Sequence, residues 1–322
     1  MNFLKRILLL VALVPALALA QAYPSKPIRM IVPFPAGGPA DIFGRGLALG
    51  LTTELGQPVV VENVGGVGGV LGIDRALKSA PDGYTLGFNS GSTLSIAPYS
   101  FAKLPYDVKK DVALITLVVR VPEVLAVHPS LPVNSLAELI AYAKANPGKV
   151  NFGSAGGGSI THLAGELLKA EAKVDLVHIP YKGAAPAVTD LVGGQVQMGI
   201  FDVPILLSHI RAGKLKALAI TSATRAPTLP EVPTTAEGKF PNVTSDNWYG
   251  LIMPAATPAA IQRKVHAAAV TALQTPTLKE QFAKVGGIAA PGSPQDYAAF
   301  LANEQAKWSK VVEAIGFKEQ TQ

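Results

Sequence analysis

The stretch that most restricts what this chain can fold into is residues 31–48, IVPFPAGGPADIFGRGLA. Met30, Ile31, Val32, Pro33 and Phe34 form a β-branched and aromatic run of the kind that makes a short buried strand. Pro35-Ala36-Gly37-Gly38-Pro39 then turns the chain into a helix. Two glycines let the backbone approach a ligand closely and take positive φ, and Pro39 suits the first helical position, where a missing N–H is no loss. A strand ending this way aims unpaired backbone N–H groups, and the positive end of a helix dipole, at whatever lies beyond its carboxyl end. Such a place suits a carboxylate or a phosphate. A tight turn with nothing bound would use the same residues. Phe34, Ala36, Gly37 and Gly38 are the ligand-binding candidates here. Asp41, in the first helical turn, has Arg45 four residues on as a partner, and either pairs with it or shapes the loop beside the ligand.

The device recurs. Lys149-Val150-Asn151-Phe152 reads as a strand, residues 153–159 (GSAGGGS) as a glycine turn, and residues 160–170 as a helix. Two such turns facing each other would grip two anionic groups of one small molecule, and a dicarboxylate is the natural candidate. The second turn adds hydroxyls. Ser154, Ser159 and Thr161 can donate to carboxylate oxygens, while Ser159 is also placed to cap the helix. Ala155, Gly158 and His162 complete this set of candidates. Residues 84–88 read as a strand that ends in a small polar loop, residues 89–93, which brings in Ser90 and Ser92. Asp202 stands at the carboxyl end of a strand at residues 197–202, the ligand side of such sheets.

Residues 1–20 are read as an export signal. Lys5 and Arg6 precede an apolar run, and Ala18-Leu19-Ala20 fits a cleavage site; its removal takes the formal charge from +6 to +4. The mature chain is expected in the periplasm. With no cysteine, disulfides, thiolate metal sites, a cysteine nucleophile and a lipid-modified cysteine are excluded. The basic residues are scattered and not interleaved with aromatics, which argues against nucleic acid as a partner. Gly66-x-Gly68 is followed by Leu71 where a dinucleotide fingerprint needs a third glycine, and no metal spacing occurs among the five histidines. No cofactor is expected. About 300 mature residues point to two domains, and the alternation of strands and helices to α/β architecture with a mostly parallel sheet in each.

Residues 111–127, a long and mostly β-branched run, look like a crossing between domains, and residues 248–252 like the return. This gives a discontinuous lobe, 21–122 plus 246–322, and a second lobe, 123–245. Proline-rich residues 226–241 are expected on the surface. The end of the chain, from about residue 258, reads as two helices packed on the first lobe.

Several spaced segments carry a resemblance to a known family. They are Ile31-Val32-Pro33-Phe34-Pro35-Ala36-Gly37-Gly38, Pro81-Asp82-Gly83-Tyr84-Thr85-Leu86, Leu104-Pro105-Tyr106-Asp107, Gly153-Ser154-Ala155-Gly156 with His162-Leu163-Ala164-Gly165-Glu166, Pro180-Tyr181-Lys182-Gly183 and Gly193-Gly194-Gln195-Val196. In this order they resemble the periplasmic solute receptors of tripartite tricarboxylate transporters, the Bordetella uptake gene (Bug) family. The resemblance implies a Venus-flytrap binding protein of two α/β lobes. It also implies a receptor that binds a carboxylate in the interlobe cleft and delivers it to membrane permease subunits; a monomer is expected, and the lack of a nucleophile, metal or paired-carboxylate motif points away from an enzyme. Two departures bear on the ligand. Ala40 stands where a hydroxyl residue is usual, which removes one ligand donor, and Asn63-Val64-Gly65-Gly66-Val67-Gly68-Gly69 lacks the usual Arg, which leaves the pocket less cationic and favours an aromatic or monocarboxylic ligand over the di- or tricarboxylate otherwise expected. Two other readings stay open at this point: an exported hydrolase acting on a small carboxylated substrate, and a ligand-sensing receptor presenting to a membrane signalling protein.

Overall fold

The computed structural model describes residues 23–318. The export signal read at residues 1–20 lies outside them. Strand β1 (Ile28–Val32) runs through the glycine turn into α1 (Pro39–Leu55), which Gly56 ends in a left-handed cap. Then come β2 (Val59–Asn63), a short 3-10 turn, α2 (Val70–Leu77), β3 (Thr85–Ser90), a π turn (Ser92–Ile96) and α3 (Ala97–Ser100). The long β4 (Val112–Val127) leads to α4 (Leu136–Ala145), β5 (Val150–Ser154), α5 (Ile160–Ala172), β6 (Leu176–Pro180) and α6 (Ala184–Val192). Next are β7 (Met198–Asp202), α7 (Val203–Arg211), β8 (Lys216–Ile220) and β9 (Asp246–Pro254). The chain closes with α8 (Ala259–Gln274), α9 (Pro276–Lys284), β10 (Ile288–Ala289) and α10 (Pro294–Ile315).

The strands follow the order β2-β1-β3-β9-β4-β7-β5-β6, with β8 and β10 added along β4. β1 is parallel to β2 and β3, and β5 to β6 and β7, as strand-helix-strand units require. β4 belongs to both halves of this sheet. From Val112 to Pro122 it pairs antiparallel with β9, and from Glu123 to Val127 with β7.

Helices cover both faces. On the first strand group, Phe43, Leu47 and Leu51 of α1 meet Val265, Ala269 and Leu273 of α8 and Phe282 of α9, over Met30, Phe88 and Tyr249. In the second group, Leu139, Ala164 and Leu168 cover Phe152 and Met198 on one face, while Leu191 and Leu206 cover Val124 and Phe201 on the other. Trp308 and Val312 of α10 pack with Ile96 of the first group and Ile160 and Leu163 of the second.

Two local expectations need correction and a third a refinement. Residues 89–93 are not a loop: β3 continues to Ser90 and the π turn follows, because serine and threonine hydroxyls bond the backbone there (Thr93 Oγ1 to Ser90 O, 3.0 Å; Ser95 Oγ to Gly91 O, 2.6 Å). Residues 226–241 run over the surface, with Pro227, Pro230, Glu231 and Glu237 exposed, but they are anchored in the second lobe: Ala226, Leu229 and Val232 are buried there and the Thr235 N–H donates to Ile220 O. The final segment holds three helices rather than two, split where Thr275 caps α9 and Pro276 starts it.

Candidate ligand-binding site

The two glycine turns open onto one narrow cavity. Its wall comes from the carboxyl ends of strands in both groups. The first turn supplies Phe34, Pro35, Gly38, Pro39 and Ala40, the second Ala155, Ser159, Ile160 and Thr161. Ser92, Ala184, Asp202, Asn247 and Tyr249 complete it. No lysine or arginine lines it. The helix N-termini of α1, α5 and α6 meet there, and the N–H groups of Ala40, Thr161 and Ala184 make no hydrogen bond among the described residues.

Each turn is held from behind. Gly37 takes φ +82°, a left-handed conformation that glycine adopts readily, and its N–H donates to Asp41 Oδ2 (3.0 Å). The Asp41 carboxylate also accepts from Asn63 Nδ2 (3.0 Å) and pairs with Arg45 Nε (2.9 Å). Burial raises the pKa of this carboxyl, but the Arg45 contact and the hydrogen bonds from Gly37 and Asn63 outweigh it, so the group sits below its ordinary value. Asp41 therefore shapes the loop and does not line the cavity. Ala36 and Gly37 turn outward to solvent.

In the second turn, Ser159 caps α5: its Oγ accepts from the His162 N–H (3.3 Å) and donates to Gly156 O (2.6 Å). Thr161 Oγ1 accepts from the Ala155 N–H (2.8 Å). Ser154 and His162 point the other way. Ser154 Oγ bonds His178 Nε2 (2.6 Å) and accepts from the Gly156 N–H (3.1 Å). The His162 ring stacks on His178 with centres 3.8 Å apart, and its Nδ1 accepts from the Gly158 N–H (3.2 Å). Burial, with the neighbouring His178 and Lys169, lowers the His162 pKa to about 3, so the ring is a neutral support for the loop.

Of the residues singled out in the sequence, Phe34, Gly38, Ser92, Ala155, Ser159, Thr161 and Asp202 come together on the cavity wall. Ala36, Gly37, Asp41, Ser90, Ser154, Gly158 and His162 do not. Ser92 also ties the two strand groups, its Oγ accepting from the Ile160 N–H (3.0 Å). The sequence reading missed Asn247 and Tyr249, which reach the cavity from β9. Asn247 Nδ2 donates to both Asp202 oxygens (3.0 Å each) and Tyr249 OH to Asp202 Oδ2 (2.5 Å). It also missed Ala184, although Gly183 (φ +122°) begins α6 by the same strand, glycine and helix device.

A model of the tripartite tricarboxylate transporter family receptor (TctC) matches residues 43–317. The chain belongs to this family. The receptor is 42% identical over 300 residues to protein BugT of Bordetella pertussis, a match that spans 93% of this chain and 92% of BugT. A solved R. palustris protein with adipate is 31% identical at a TM-score of 0.89, over 93% of this chain and 100% of that one. MatC from Rhodopseudomonas palustris with bound malate is 32% identical at 0.86, over 90% and 100%. The receptor thus has the two-lobed fold of periplasmic binding proteins, and the cavity lies between its two strand groups.

Proposed function

We propose that this receptor binds a small carboxylate, foremost a dicarboxylate, in the cavity between its lobes and hands it to membrane permease subunits. The observation that carries the reading is the convergence of α1 and α5, one from each strand group, on a cavity whose free donors are backbone N–H groups and hydroxyls. Such donors hold a carboxylate without a fixed counter-charge. The adipate and malate bound by two relatives are dicarboxylates, which supports the class. We take residues 21–122 with 246–322 as one lobe and 123–245 as the other; the change of partners along β4 between Pro122 and Glu123 supports that division. The protein is read as a periplasmic monomer, exported by residues 1–20.

Binding without turnover fits the side chains. The Ser154–His178 contact is the nearest thing to a nucleophile and base, yet neither residue lines the cavity. Burial, with Lys169 nearby, lowers the His178 pKa to about 4, which makes it a weak base at neutral pH.

A thermal-shift screen of ligand-stripped protein against mono-, di- and tricarboxylates tests the reading. A ligand at a hundred times its Kd is expected to add about 2.7 kcal/mol of stability. Stabilisation by unrelated neutral solutes, with none by any carboxylate, would reject it. Within the same framework, Ser92→Ala removes the acceptor for the Ile160 N–H at the lobe contact. Affinity for the bound carboxylate is expected to drop about tenfold in calorimetric titration, the worth of about 1–1.5 kcal/mol for one neutral hydrogen bond. An unchanged Kd would show that this bond does not favour the ligand-bound form.

A further inference from the structure

Among the described residues, Asp202 is the one carboxyl group on the wall of a cavity otherwise built to attract anions. Directly opposite it across the β4–β7 pair stands Glu123, so both side chains project from the same face of the sheet. Glu123 is 0% and Asp202 1% exposed. The two are satisfied unequally. Asp202 accepts from Asn247 and Tyr249, whereas Glu123 accepts only from Ser245 Oγ at Oε2, and its Oε1 has no partner among the described residues. Donated hydrogen bonds favour the ionised form, and burial without them favours the neutral one. Glu123 therefore carries a proton, and Asp202 is left as the negative group facing the cavity.

We propose that carboxylate binding to this receptor draws one proton from solvent onto Asp202, with the neutral Glu123 behind it acting as a positioning residue. The inference rests on the carboxylate reading above. A ligand anion entering beside Asp202 meets a like charge on a carboxyl that is itself buried, and protonation of Asp202 removes that repulsion. It also gives Asp202 a hydroxyl to donate, so that an acceptor oxygen of the ligand gains a partner. The surrounding charges do not supply the compensation. β9 presents Asp246 and Tyr249, β4 presents Arg120, whose guanidinium goes to Asp246 (3.4 Å), and of the groups acting on the pair only Lys307 of α10 opposes the extra charge. Burial already pushes the Asp202 carboxyl up to about 6 against the hydrogen bonds from Tyr249 and Asn247, and it pushes Glu123 well above the usual carboxylate range, aided by Asp202 itself. A bound anion raises Asp202 further. The sign follows. Affinity is full below the Asp202 pKa of the free receptor, then falls as pH rises above it, with a limiting slope of about tenfold per pH unit for one linked proton.

The test is calorimetric titration of the full-length mature receptor with adipate and with malate near pH 7, in imidazole and in Tris, two cationic buffers whose ionisation enthalpies differ. Proton uptake is expected to make the observed heat buffer-dependent. Asp202→Asn is expected to abolish that dependence and to flatten the pH profile of Kd, while Glu123→Gln, which fixes the neutral form, keeps both. Binding with buffer-independent heat in the wild type overturns the proposal, as does uptake that survives in Asp202→Asn, since the proton would then sit on the ligand. Loss of uptake in Glu123→Gln would move it to Glu123 and overturn the assignment to Asp202. Infrared difference spectra with a ¹³C-labelled dicarboxylate give a readout that needs no variant: a new protonated-carboxyl band of the protein on binding is expected, and its absence counts against the proposal. Binding of neither dicarboxylate, nor of any other carboxylate, rejects the carboxylate reading itself rather than the proton linkage alone.

Discussion

Trp308→Ala is expected to destabilise the protein by about 3–5 kcal/mol, the range for truncating a fully buried large aromatic side chain. Trp308 is 0% exposed on α10, in a cluster that draws Ile96 from the first strand group and Ile160 and Leu163 from the second. Its Nε1 donates to Glu304 Oε2 (3.2 Å), which also accepts from Trp248 Nε1 (3.1 Å), so the indole is both packed and hydrogen-bonded. Ile160 stands at the start of α5 and lines the cavity. The loss should therefore loosen the second glycine turn as well as the global fold. Urea unfolding compared with the wild type checks this, with carboxylate Kd as the second readout. A change below about 1 kcal/mol would mean that the terminal helix lies on the lobes without joining them.

The second large effect is expected at Asp41. Asp41→Ala removes the acceptor for the Gly37 N–H and for Asn63 Nδ2 together with the partner of Arg45, a loss of about 2–4 kcal/mol for a buried charged acceptor of several bonds. The first turn then loses what holds its left-handed glycine, and the α1 N-terminus its aim. Carboxylate binding should fall to the limit of detection even where the variant remains folded. The pH dependence is distinctive. The Asp41 carboxyl lies lower in the folded protein than in the unfolded chain, so its contribution is complete above the unfolded value and disappears as pH falls through the folded one. The gap between wild type and Asp41→Ala should therefore narrow in acid. A constant gap in stability from neutral pH down to acid unfolding would mean that the ionised form of Asp41 adds nothing.

What the sequence disclosed of the site is what local chemistry determines. Gly37, Gly38 and Pro39 specify a strand-helix turn by themselves, and Ser159 caps α5 three residues before the N–H it binds, so both turns could be read from composition and spacing. The directions of Ser154 and His162 could not. Ser154 turns to His178 because β5 and β6 pair in a register that sets Phe152 beside His178 and Ser154 beside Pro180, a choice made by the sheet. His162 leans back toward the start of its helix, as helical side chains do, and so meets the Gly158 N–H instead of the cavity. Asn247 and Tyr249 were hidden for a similar reason: nothing near them in sequence reveals that β9 sits beside β3, where Tyr249 pairs with Ser90. The serine-rich residues 89–93 misled because hydroxyl residues mark loops and also support helical turns by bonding backbone carbonyls.

The position of β9 between β3 and β4 sets the order in which strand partners become available as the chain emerges. The chain emerges from its N-terminus, so β1, β2 and β3 are complete long before residues 246–254 exist to bridge them to β4. The second strand group needs only the end of β4 and β5 to β8, complete by Ile220, and the segment through Val243 that finishes its core follows at once, still ahead of β9. The middle of the polypeptide is thus free to condense first, while the older first segment waits with one side of β3 unpaired. An apolar strand edge left open for that interval invites pairing with another chain. The part of the molecule that emerges earliest thus keeps one strand edge open until β9 follows.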